Sequence, residues 1–218
     1  MTRDGFHKDL REIEEAVIQM AALVEAEIAL AMQALSKRDV NLAQEVVTRD
    51  GEVNALQRDI RTRCTSLIAL QAPVARDLRE LVTVQLVISE LERMGDHAVG
   101  VAKQSLRLQE FEPLPLLVNE LVEMARLARN QVREGIQAFV DVNVQLARAI
   151  CAKDDEIDQR YRMVFTNILT AMTNDPSIIK PAASLLFVAH DIERIADRVT
   201  NICEDVIYMV SGEVEELN

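Results

Sequence analysis

An eight-residue phrase occurs twice in this chain, about a hundred residues apart. Glu90-Leu91-Glu92-Arg93-Met94-Gly95-Asp96-His97 returns as Asp191-Ile192-Glu193-Arg194-Ile195-Ala196-Asp197-Arg198. Upstream of each lies a second echo, Asp50-Gly51-Glu52-Val53-Asn54 and Asp154-Asp155-Glu156-Ile157-Asp158. Both copies sit in apolar segments poor in Gly, so both read as helix. One acidic helical unit is written twice, and a repeat of one motif is the architecture this allows. Only 6 Gly and 5 Pro in 218 residues leave few places to turn, which favours long helices over sheet.

Breaks fall near residues 36–39, 71–73, 111–115, 141–143 and 174–176. Between them lie six segments with helical periodicity, each about 25 to 40 residues long. Pro73, Pro113 and Pro176 read as helix starts, where a missing N–H costs nothing. Pro181 fits less well, so the last helix is either kinked there or regular only from about Lys180. The clearest apolar stripe is Leu185, Val188, Ile192, Ile195, Val199, Ile202, Val206 and Met209, stepping by three and four. Its counterpart is Val84, Val87, Leu91, Met94, Ala98 and Val101, broken at Ser105 and resumed at Leu108. Such seams pack in antiparallel bundles. The expected fold is all-α: two tandem three-helix bundles, residues 1–110 and 113–212, related by a pseudo-twofold axis, then a short acidic tail, 213–218. One continuous six-helix bundle is the alternative.

Charge and composition exclude several functions. A net charge of −12 without a basic stripe repels nucleic-acid phosphates. The longest uncharged stretch, 163–174, is too short for a membrane span of roughly 20 residues, and no signal peptide is visible, so a cytoplasmic protein is expected. Cys64, Cys151 and Cys203 are odd in number and far apart, and read as reduced, helix-packed residues. Nucleotide-loop, nucleophile-elbow and zinc-protease motifs are all missing, as is the Glu-x-x-His of di-iron bundles, so an enzyme is not expected.

The acids carry the functional signal. Glu193, Asp197 and Asn201 are spaced i, i+4, i+8 and share a face nearly opposite the apolar seam. His190 lies one turn earlier on that face; His97 points off the acid strip. Counting back across the turn near residue 174 places Asp154 and Asp158 at the height of Glu193 and Asp197. Across the turn near residue 72, Asp50 and Asn54 likewise face Glu92 and Asp96. Carboxylates held side by side repel, and a hard cation relieves the repulsion; magnesium, manganese, calcium or iron would suit. Arg93, Arg194 and Arg198 are close enough to pair with some of these acids instead, and spacing alone leaves both readings open.

At these residues the chain resembles the PhoU family, the phosphate-uptake regulators of bacteria and archaea. The matching pieces are Gln71-Ala72-Pro73-Val74-Ala75-Arg76-Asp77-Leu78-Arg79, the two Glu-Arg phrases and the ending Val206-Ile207-Tyr208-Met209-Val210-Ser211-Gly212-Glu213. The resemblance implies two three-helix bundles and a surface metal motif, (Glu/Asp)xxx(Asp/Asn), met by Asp50/Asn54, Glu92/Asp96, Asp154/Asp158, Glu193/Asp197 and Asp197/Asn201. The cofactor would be a divalent or trivalent ion such as iron, manganese, magnesium or zinc. Gly100 stands where Asn201 stands in the second repeat, so the second site is expected to bind more firmly. The role implied is a cytosolic adaptor between the ATPase subunit of the phosphate ABC transporter and a sensor histidine kinase. It would restrain the phosphate-starvation response, touch the membrane only through partners, and form a homodimer. A metal-dependent helical-bundle enzyme and a purely structural dimerising bundle are the competing classes.

Overall fold

Where this chain turns, a specific residue makes it turn. The computed structural model describes residues 3–215 and 217; the side chains of Arg3, Asp4 and Asp154 lie outside that description. The helices are α1 (Arg3–Lys37), α2 (Val40–Gln71), α3 (Ala75–Arg107), α4 (Pro115–Val140), α5 (Val144–Cys151), α6 (Asp154–Asn174) and α7 (Ile179–Ser211), and no strand occurs among the described residues. The expected fifth helix is divided: only Ala152 and Lys153 separate α5 from α6. Asp154, Asp155 and Glu156 follow at once, and acids are favoured at a helix N-terminus.

Asp39 caps α2, its Oδ1 accepting from the amides of Asn41 and Leu42 at 2.9 and 3.1 Å. Asn143 caps α5 the same way, accepting from Leu146 N at 3.0 Å. Gly212 ends α7 with a left-handed φ of 77° and donates its N–H to the Tyr208 carbonyl. The prolines correct the sequence reading. Pro73 and Pro113 lie in connections, while α4 starts on Pro115, whose predecessor Leu114 is held non-helical. Pro181 falls in the first turn of α7, after a 3₁₀ turn at Pro176–Ile178, so no kink is needed.

Helices α1, α2 and α3 pack on one another, as α4, α5 and α6 pack on α7; the most extensive contact joins α3 to α7, and α1 meets α4. Both stripes are buried, and one core runs through both halves. Truncating a seam residue such as Leu91 to Ala would cost about 2–5 kcal/mol. The repeated phrase also creates a twofold-related pair of polar contacts across the seam. Arg198 Nη1 stands 3.3 Å from Glu90 Oε2, and His97 Nδ1 stands 3.0 Å from Asp191 Oδ1. Each phrase thus sets its opening acid against the closing residue of the other. The three cysteines are buried and unbonded to one another. The tail folds back: Leu217 N–H donates to Glu204 Oε1 at 2.8 Å, and Glu215 pairs with Arg148 at 2.7 Å.

Candidate functional site

The α6–α7 hairpin brings Asp158, Glu193 and Asp197 together at the height expected from the turn. One oxygen from each lies within 4.8 Å of the others, and all three side chains are half-buried. They line a groove of about 780 Å³ with Asp155, Arg194, Arg198 and Asn201. Metal–oxygen distances of about 2.0–2.6 Å put two ligand oxygens of one ion about 3–5 Å apart. Three carboxylates at this spacing therefore fit a single hard cation. Asp154, placed with them by the sequence, has its side chain outside the described residues.

Arginines share this groove. Arg194 Nη1 lies 2.6 Å from Asp197 Oδ2, Arg162 Nη2 lies 3.0 Å from Asp158 Oδ2, and His190 Nδ1 lies 3.6 Å from Glu193 Oε2. Burial raises the pKa of Asp197, Arg194 and Arg198 pull it back, and the Asp158 charge pushes it up again. Of the arginines singled out in the sequence, Arg194 pairs with a site acid; Arg93 and Arg198 both turn to Glu90.

In the first repeat, Asp50 and Glu92 are half-buried and Asp96 is exposed. Among the described residues only the second repeat brings three such oxygens within 4.8 Å. Asn54 Nδ2 donates to Asp50 Oδ2 at 2.8 Å, which orients that carboxylate. Burial raises the pKa of Asp50 and the Asp96 charge adds to it; Glu92 is raised by the same two causes in the same order. No Lys or Arg among the described residues comes within 4.0 Å of the Asp50, Glu92 or Asp96 carboxylates, in contrast to the second repeat.

Two positions escape simple motif counting. Asn201 and Gly100 hold matching places, and each is explained by the seam. Asn201 Nδ2 donates to Glu90 Oε2 at 3.1 Å. At Gly100 a Cβ would stand 2.5 Å from Asp191 Oδ2, so the glycine makes room for the acid that matches Glu90. The second position is Glu27 on α1, only 3% exposed, with its Oε2 buried and without a hydrogen-bond partner. Burial, then the charges of Asp50 and Glu52, push its pKa up to about 7 against the pull of Arg49. The sequence does carry a signal for it: Met20, Val24, Ala31 and Ala34 are buried at steps of four and three, and Glu27 occupies the place between.

The model of the PhoU domain matches this chain twice, over residues 17–105 and 121–206, and each match contains one acid set. The chain belongs to the PhoU family. It is 36% identical to the phosphate-specific transport system accessory protein PhoU homolog of Clostridium acetobutylicum, covering 100% of both chains. It is 39% identical to the homolog of that name in Aquifex aeolicus, covering 95% of this chain and 93% of the relative. Two crystal structures share the fold. PhoU from Pseudomonas aeruginosa superposes with a TM-score of 0.88 at 30% identity, covering 95% of this chain and 100% of that one. The phosphate transport system regulatory protein PhoU from Streptococcus pneumoniae gives 0.90 at 31%, covering 97% and 99%. Among the described residues no helix is long and apolar enough to cross a membrane.

Proposed function

We infer that this PhoU protein is a non-enzymatic, cation-binding adaptor that restrains the phosphate-starvation response in the cytoplasm. Its partners are the ATPase subunit of a phosphate ABC transporter and a sensor histidine kinase, and its working form is a homodimer. The observation that carries the metal part is the convergence of Asp158, Glu193 and Asp197 in one groove. Family membership supports the regulatory part, since full-length relatives are named as accessory proteins of phosphate-specific transport. Long exposed helical faces suit docking to partners. The two halves, 1–110 and 113–212, are repeats joined by one core, each with its own acid face: Asp50, Asn54, Glu92 and Asp96 in one, Asp154, Asp158, Glu193, Asp197 and Asn201 in the other. The bound ion would neutralise the clustered carboxylates and fix the hairpin faces that partners meet.

Deleting the gene tests the reading. Phosphate-starvation genes should stay on in phosphate-rich medium and return to repression when the gene is restored. The chain carrying Glu193→Ala and Asp197→Ala should restore repression less well than the unmutated chain. Normal repression in the deletion strain, with no related gene present, would refute the adaptor.

A further inference from the structure

We propose that Glu27, on the first helix and outside the repeated acidic motif, is an inner oxygen ligand of a divalent-cation site in the first repeat. The proposal rests on the cation-binding reading above and deepens it. Two independent observations support it besides the acid cluster. The Glu27 side chain is 3% exposed and its Oε2 has no hydrogen-bond partner; Asp50 Oδ1 is likewise buried without one. Both oxygens lie within 4 Å of one point. A Cβ built on Gly95 would stand 3.4 Å from Glu27 Oε2 and 3.8 Å from Asp50 Oδ1. Gly95 precedes Asp96, and Glu92 lies one turn earlier on the same helix.

Two orphaned carboxylate oxygens around one small space are electrostatically costly unless something positive lies between them. The protein supplies no direct ion pair there: no Lys or Arg among the described residues comes within 4.0 Å of Glu27, Asp50, Glu92 or Asp96, and Arg49 and Lys103 act on Glu27 and Asp50 only from further away. In the second repeat, Arg162 and Arg194 pair with Asp158 and Asp197. The second repeat also has Gln131 where the first has Glu27, at the offset that relates Asp50 to Asp154. Ala196 stands there in place of Gly95. Charge and space therefore differ together: the first repeat has an added carboxylate and a missing methyl. With Glu27 counted, the first repeat has four carboxylates in this region, less closely gathered than those of the second, and the firmer binding expected of the second no longer follows from ligand number. Oxygen-only ligands select a hard ion such as manganese(II) or magnesium.

The test uses the full chain with Glu193→Ala and Asp197→Ala, so that the first site is read alone. Manganese(II) is titrated and free ion is followed by its paramagnetic resonance signal. Adding Glu27→Gln, which keeps the shape, should weaken the remaining site at least tenfold, without loss of helical signal. Gly95→Ala is the second variant. It should leave the metal-free fold as stable or more stable, because Ala favours a helix, yet also weaken manganese binding. Unchanged affinity in both variants would overturn the role of Glu27 and leave the cation-binding reading standing. Failure of the unmutated chain to bind manganese would overturn both. If Glu27→Gln fails to fold, Gly95→Ala decides alone.

Discussion

Arg198 offers the sharpest test of the α3–α7 seam, because its environment fixes how much its loss should cost. The Arg198 and Glu90 side chains are 11% and 13% exposed and meet at 3.3 Å. An exposed pair is worth about 0–1 kcal/mol, whereas breaking a fully buried one costs about 3–5 kcal/mol by stranding the survivor. In Arg198→Met the survivor is Glu90, which keeps the Asn201 Nδ2 donor at 3.1 Å and some access to water. That places the expected loss at about 2–3 kcal/mol, between the two limits. In a chain of this size it corresponds to a fall in melting temperature of roughly 5–10 °C. Urea unfolding at neutral pH, followed by circular dichroism, measures it. Arg93→Met is the control: Arg93 also approaches Glu90, at 3.5 Å, but is 54% exposed, and should cost under about 0.5 kcal/mol. Adding Glu90→Gln to Arg198→Met removes the stranded charge and should recover at least about 1 kcal/mol. A loss within 0.5 kcal/mol of zero for Arg198→Met, or a double variant as unstable as the two singles summed, would refute the reasoning.

Two further outcomes are expected. A Cβ at Gly135 would stand 2.6 Å from Val199 Cγ1, a buried β-branched side chain with one favoured helical rotamer. Gly135→Ala should cost about 1 kcal/mol net, overpacking of about 1–3 kcal/mol exceeding the helical gain of about 1, and urea midpoints should show Val199→Ala relieving part of it. The second concerns pH. Burial, then the hydrogen bond and charge of Glu14, push the Glu80 carboxyl up to about 7 from 4.5. The folded chain therefore holds this proton over a range where the unfolded chain has released it. The stabilisation is fully present below about pH 4.5 and is lost as pH rises through about 7. Burial pushes Asp205 the same way, also to about 7. The chain should be more stable near pH 5.5 than near pH 8, and Glu80→Gln should flatten that slope; an unchanged slope would count against the buried carboxyl as its source.

The fold was legible because its signal is periodic. Leu185 through Met209 and Val84 through Leu108 step at helical spacing, and every named member is buried. Hairpin counting worked for the same reason: a helix rises uniformly, so Asp158 meets Glu193 and Asp197 at the height set by the turn. What failed was local or cross-seam. Helix starts slipped from Pro113 to Pro115 because two prolines close together give one signal and only backbone conformation chooses between them. Gly100 looked like a lost ligand because a repeat alignment compares it with Asn201, whereas the fold compares it with Asp191 on the other side of the seam. Glu27 was hidden because it belongs to a third helix with no copy of the motif. An acid inside an apolar stripe was the one clue, and it required reading the exception rather than the pattern.

Duplication gives two acid faces built on the same motif but with different spacing and different electrostatics, and those differences limit what each can do. In the second repeat Asp158 and Asp197 already have guanidinium partners at 3.0 and 2.6 Å. Under the cation-binding proposal, a cation entering there would compete with those arginines, and its departure would leave Asp158 and Asp197 still paired. In the first repeat no such partner among the described residues lies within 4.0 Å of Asp50, Glu92 or Asp96, Lys103, Arg93 and Arg61 act only from further away, and desolvation raises the pKa of Asp50 and Glu92. Under the cation-binding proposal, losing a cation there would leave carboxylates that take up protons or move apart. The helices that would move are α2 and α3, and α3 packs along α7 through the seam that joins the halves. If the proposed cation binding holds, its mechanical consequences should be larger in the first repeat, even though the second has the more closely gathered oxygens.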